Sequence, residues 1–173
     1  MQRAPTRTDD GHRDAGRAVM IDARGLVKRY GDFTAVNGVD LTVYDGEIFG
    51  ILGPNGAGKT TTLEMIEGLR VPDDGTIQVA GIDAVRDPTA VKRVIGIQLQ
   101  TTALFDHLTV RELIILFAAL YGADTSKAAV DRLIEMVSLQ EKAGAYANAL
   151  SGGQQQRLSI ALALVNDPRV IFL

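Results

Sequence analysis

Gly53-Pro54-Asn55-Gly56-Ala57-Gly58-Lys59-Thr60 decides the fold of this chain. It fits the pattern of a glycine-rich loop that opens a helix, G-x-x-x-x-G-K-[ST]. Glycines let successive backbone amides turn inward around an anion, where bulkier residues would block the approach. A helix starting near Gly58 points free amides and the positive end of its dipole at that anion. Lys59 is then placed to reach the β- and γ-phosphates of a nucleotide, and the Thr60 hydroxyl to ligate Mg²⁺. Thr61 adds a hydroxyl near the α-phosphate. The loop indicates a nucleotide, yet by itself it serves transporters, kinases, small GTPases and helicases alike.

The neighbouring sequence gives the loop its context. Upstream, Glu47-Ile48-Phe49-Gly50-Ile51-Leu52 is a mostly apolar run of the kind buried in a parallel sheet. It follows a turn at Asp45-Gly46, and before that Val39, Leu41 and Val43 alternate with polar residues as in a half-buried strand. Downstream, Asp73-Asp74-Gly75 turns into a strand over Thr76 to Ala80, and Ile95 to Leu99 reads as another.

The pattern then becomes helical. Thr109-Val-Arg-Glu112 is a capping box, and the apolar run Leu113 to Leu120 behind it predicts a helix buried nearly all round. Val130, Leu133, Ile134 and Val137 mark a second, amphipathic helix, and Leu158, Ala161, Leu162 and Val165 repeat the spacing in a third. Asn166-Asp167-Pro168 stops that helix, and Arg169 to Leu173 reads as a buried strand. The expected architecture is α/β: a P-loop NTPase core of mostly parallel sheet with an antiparallel β region, and an inserted α-helical subdomain at about 101–150.

Leu150-Ser151-Gly152-Gly153-Gln154 is a second candidate anion site. Ser151 is a natural N-cap, and two glycines leave the first amides of the next helix uncovered. Taken alone, it is equally a capped helix start.

With both motifs in this order, the chain resembles the ATP-binding cassette (ABC) family from about Met20 to Leu173, and Leu150-Ser-Gly-Gly-Gln-Gln-Gln-Arg157 looks like its signature motif. The resemblance implies ATP and Mg²⁺ as cofactors. It implies a second cassette paired head to tail, so that Ser151, Gly152, Gly153 and Gln154 contact ATP held by the partner's loop. Tyr30, in Lys28-Arg29-Tyr30-Gly31, is similar to the aromatic that stacks on adenine; a ring face takes a base without hydrogen-bond readout. Gln100 aligns with the glutamine that touches Mg²⁺ and the attacking water, with Gln98 as its rival. Thr101 to Leu108, with Leu104 and Phe105, corresponds to the place that receives a membrane subunit's coupling helix, or is simply core. His107 matches no catalytic position and is expected on the surface.

The family pattern continues past an apolar strand with a Mg²⁺-binding aspartate and a catalytic glutamate, whereas this sequence stops at Leu173. The resemblance therefore implies a cassette domain over 19–173, incomplete at its C-terminus, with negligible ATP turnover on its own. An unfinished sheet edge would also favour aggregation.

Composition narrows the partners. The formal net charge of −3 gives no basic footprint, so no nucleic acid is expected. The sequence contains no cysteine, which excludes disulfides and thiolate metal sites. Residues 1–18 are polar and mixed in charge, with no apolar segment of a secretory signal, and read as a disordered tail. The longest apolar run falls far short of the ~20 residues of a membrane-spanning helix, so a membrane connection requires an integral permease subunit as partner. The resemblance implies a motor at the cytoplasmic face of the membrane, and the stretch from Gln98 to Gly122 looks like the drug- and antibiotic-export subgroup. Two other readings are a soluble ABC ATPase acting on DNA or ribosomes and a non-catalytic remnant acting on an intact partner.

Overall fold

Two long strands, β1 (Val19–Tyr30) and β2 (Phe33–Tyr44), form an antiparallel hairpin in which Val19 faces Tyr44 and Tyr30 faces Phe33. These belong to a computed structural model that describes residues 16–98 and 107–173. Most of the expected tail and the segment holding Gln100, Leu104 and Phe105 lie outside the described residues. The chain divides into two compact units, one ending at Lys92 and the other running from Arg93 to Leu173.

In the first unit the hairpin is extended by β3 (Asp74–Val79) and β4 (Ile82–Asp83), giving a four-stranded sheet in the order β2-β1-β3-β4. All its pairings are antiparallel. Alternation places Leu26, Ile77 and Val79 in the core, where the helix α1 (Lys59–Ile66) adds Met65 and Ile66. The strand expected from Thr76 to Ala80 is β3, begun two residues earlier by its turn.

Asp73 ties that turn to β1. Its carboxylate accepts from the Lys28 ammonium at 2.8 Å and from the Arg29 amide at 2.6 Å, and these two bonds hold it below its ordinary value of 3.8. A carboxylate lowered in the folded state contributes stability above its unfolded value, and that stability is lost as pH falls through the folded value. Asp73→Asn is therefore expected to lower the melting temperature at neutral pH, with the gap to the parent closing below about pH 3.8. Melting curves followed by circular dichroism check this; a gap independent of pH would remove the ionic role of Asp73.

The buried strand predicted over Glu47–Leu52 is not formed. Residues 47–52 have no regular structure, and Ile48 and Leu52 are 101% and 90% exposed. An apolar run specifies burial, but a strand also requires a neighbour to accept its ladder bonds, and among the described residues none pairs with it. The Asp45-Gly46 turn itself is as expected, closed by the Glu47 amide donating to the Tyr44 carbonyl at 3.1 Å.

Helix α2 (Pro88–Val94) carries the chain into the second unit, where β5 (Ile95–Ile97) and β6 (Val170–Phe172) form a parallel pair. Gly96 permits a close approach: a Cβ there would sit 2.0 Å from the Ala163 carbonyl oxygen. The strand predicted at Arg169 to Leu173 exists, but it is not buried, since Ile171 is 43% exposed. Among the described residues it pairs only with β5, so its other edge has no neighbouring strand.

Three helices complete this unit: α3 (Val110–Tyr121), α4 (Lys127–Met136) and α5 (Gly152–Ala163). Thr109 and Glu112 make the predicted capping box, with the Glu112 carboxylate accepting from the Thr109 amide at 2.8 Å. Leu113, Ile114, Val130, Ile134, Leu158 and Leu162 form one core, as the helical spacing of α4 and α5 requires. The all-round burial expected of α3 does not hold. Only the side packed on α4 and α5 is covered, and Leu120 stands 72% exposed.

Candidate functional site

The glycine-rich loop leads directly into α1, whose N-cap is Gly58 at φ 81°. No side chain caps this helix and no acid lies in its first turn, so the amides of its first residues remain available to an anion. Gly56 also holds a positive φ of 80°, which turns the loop back on itself. Pro54 closes the bend by accepting the Ala57 amide at 3.2 Å. Asn55 stands exposed at the loop's apex.

Lys59 bends over this loop. Its ammonium donates to the carbonyls of Gly53 and Pro54, both at 2.8 Å, so its charge lies at the loop mouth beside the open amides. Thr60 is exposed and Thr61 half-buried, so the Thr60 hydroxyl is free to meet solvent or a bound ion. Thr62 has a different role that the sequence did not signal: buried, it donates its hydroxyl to the Gly58 carbonyl at 2.9 Å and secures the first turn.

This geometry fits a polyphosphate, because open amides, a glycine cradle and an ammonium converge on one mouth. Thr60 is exposed beside this mouth, where its hydroxyl would meet Mg²⁺ bound with a polyphosphate. Among the described residues no cluster of three histidines, cysteines or carboxylates could hold a metal by itself.

Tyr30 closes β1 and is 43% exposed. The Arg70 guanidinium lies over that ring, 5.5 Å from its centroid. Arg70 is held in turn by Glu64, whose carboxylate accepts from its Nε at 2.7 Å and thereby raises the guanidinium further above its ordinary value. Tyr30 and Arg70 stand forty positions apart in sequence, which hides this contact from any local pattern.

In the second unit Ser151 is the N-cap of α5, as expected. Its hydroxyl accepts from the Gln154 amide at 3.4 Å, and the Gln154 side-chain oxygen accepts from the Ser151 amide at 2.9 Å. The two residues form a second capping box, whose S-x-x-Q pattern was legible in the sequence. Gly152 and Gly153 stay exposed with nothing within 4 Å of an added Cβ, so the first amides of α5 are uncovered. Arg157 anchors this helix by donating to the Ser138 carbonyl at 3.1 Å. His107 is exposed, in keeping with its surface assignment.

The family model of ABC transporters matches residues 36–173. A Nod factor export ATP-binding protein I from Burkholderia orbicola is 44% identical over 155 residues, covering 88% of this chain and 51% of the relative. A sulfate/thiosulfate import ATP-binding protein from Mycolicibacterium paratuberculosis is 43% identical over 162 residues, covering 90% of this chain and 43% of the relative. The chain thus spans about half the length of the curated relatives it matches. Among solved structures, a dimeric ATP-binding cassette in a post-hydrolysis state with ADP and Pi aligns at a TM-score of 0.74 and 31% identity, covering 88% of this chain and 72% of that one. The α/β P-loop cassette fold expected from the sequence is the fold these structures share.

Proposed function

The chain belongs to the ABC transporter family, and from that premise we propose that it is the ATP-binding part of a transporter that exports a small molecule. The observation that carries this reading is the mouth of the glycine loop, where the uncapped N-terminus of α1 and the Lys59 ammonium face the same opening. Gly53 to Thr61 would hold the triphosphate of ATP, Thr60 would contribute to Mg²⁺, and Tyr30 would stack on the base. Bound Mg²⁺ would neutralise charge building up on the phosphate oxygens. Gln100 remains the residue proposed to position water and the ion.

The open N-terminus of α5 supports a second cassette as partner. Ser151, Gly152, Gly153 and Gln154 would meet nucleotide held by that partner, with the Gly152 and Gly153 amides as the donors the capping box leaves unused. A separate membrane permease would supply the pathway and place this subunit at the cytoplasmic face. Among the described residues no helix is long and apolar enough to cross a membrane. Export is favoured over import by the names of relatives such as the Nod factor exporter and by the likeness of Gln98 to Gly122 to drug exporters. The sulfate importer at nearly equal identity keeps direction a matter for experiment.

Sedimentation with and without ATP tests the paired-cassette reading. Added ATP is expected to raise the dimer fraction, and Ser151→Ala to lower it severalfold while the loop still takes up nucleotide. Bound ATP with no change in sedimentation would exclude the paired arrangement.

A further inference from the structure

Tyr30, Glu64 and Arg70 form a stack that no motif of the sequence requires. Arg70 is immobilised twice by one residue: its backbone amide donates to the Glu64 carbonyl at 3.0 Å, and its guanidinium to the Glu64 carboxylate at 2.7 Å. So fixed, it lies 5.5 Å from the centre of the Tyr30 ring. A half-exposed arginine ordinarily spends its side-chain freedom in water. Here the carboxylate has already restrained it, and the ring gains a permanent cation on one face.

Direction decides what this stack can do. Phosphates belong at the N-terminus of α1, beside Lys59, whereas Glu64 lies toward the other end of the same helix. At a rise of about 1.5 Å per residue, the separation from Lys59 to Glu64 is roughly 7–8 Å along the axis. Arg70 therefore reaches Tyr30 from beyond the end of α1 that is remote from Lys59, and one face of the ring carries the guanidinium. A cation on one face draws π-density toward itself and makes the opposite face a better platform for an electron-rich heteroaromatic ring.

Resting on the nucleotide-binding reading of the loop, we propose that Arg70, locked by Glu64, backs the Tyr30 ring and holds it in the plane on which a purine base stacks. Arg70 is then a positioning residue for base recognition, and it touches neither base nor phosphate.

Calorimetric titration of the full chain with ATP and with inorganic tripolyphosphate tests this, because only ATP carries a base. Arg70→Ala is expected to weaken ATP binding about two- to fivefold, the equivalent of one exposed cation–π contact, and to leave tripolyphosphate affinity unchanged. In a Tyr30→Ala background the same substitution should have no further effect. Glu64→Gln should reproduce part of the loss, and Arg70→Lys should restore part of it. Tighter ATP binding by Arg70→Ala would mean that the arginine occupies the place of the base, and would overturn the proposal. An equal loss for both ligands, or no loss for ATP, would overturn it too. If Tyr30→Ala still weakened ATP selectively in those cases, the nucleotide site would stand and only the role of Arg70 would fall. If the parent chain bound neither ligand, both would fall together.

Discussion

Lys59→Ala is expected to weaken ATP binding by about 30-fold to several thousandfold, the ~2–5 kcal/mol lost when one partner of a desolvated charge pair is removed. The physical reason lies in where the ammonium already rests. It bridges the carbonyls of Gly53 and Pro54 at 2.8 Å each, and so supplies positive charge at the mouth into which the free amides of α1 open. A triphosphate brings several negative charges to that mouth, and the amides alone offer only the partial charge of a helix end. Because Lys59 is half-buried and not part of the core, the substitution should leave the unfolding transition nearly in place. Lys59→Arg should recover little, since a planar fork cannot replace a compact ammonium inside a tight loop. Titration with labelled ATP reads the result directly, and unchanged affinity for Lys59→Ala would withdraw the loop as the nucleotide site.

Gly58→Ala should damage fold and site together. Gly58 holds φ 81°, a left-handed conformation costing an alanine about 1–2 kcal/mol. A Cβ added there would lie 2.3 Å from the Ala35 carbonyl oxygen and 3.2 Å from Val36 Cγ2. Ala35 and Val36 sit within β2, and the ladder to β1 holds Thr34 and Val36 on either side of Ala35, which limits how far its carbonyl can move. Such overpacking adds roughly 1–3 kcal/mol. Relief comes only by swinging the start of α1 away from the sheet, which would also spread the amides that converge on the phosphate mouth. The expected result is a urea midpoint lower by the equivalent of about 2–5 kcal/mol, with ATP affinity reduced in the protein that remains folded. Gly153→Ala is the matched control. Its added Cβ meets nothing within 4 Å, so its unfolding should follow the parent. Equal midpoints for Gly58→Ala and the parent would show that β2 and α1 are not packed as described.

Residues that specify structure through near neighbours carry that structure in their own sequence. The loop from Gly53 to Thr60 combines glycine φ freedom, a helix start and a lysine within eight positions, so its purpose is local. The capping box at Thr109 and the i, i+3, i+4, i+7 spacing of α4 and α5 are local too, and they reappear in the three-helix core. The box at Ser151 obeys the same rule, and its S-x-x-Q spacing was there to be read.

Tertiary structure decided what depends on having a partner. The apolar run from Glu47 to Leu52 has the composition of a buried strand and remains exposed, because pairing is supplied by other strands and not by its own sequence. Helix α3 is apolar on most sides, and which side is buried was settled by the positions of α4 and α5. The Arg70 guanidinium meets the Tyr30 ring only because α1 lays the end of its loop beside the end of β1. Sequence by itself thus determined the anion-binding loop, the helix caps and the helical phases, since backbone torsions and hydrogen bonds within a turn are governed by adjacent residues. The chain's folding determined which apolar faces are covered and which ring is backed by which cation, since those depend on contacts between residues far apart in sequence.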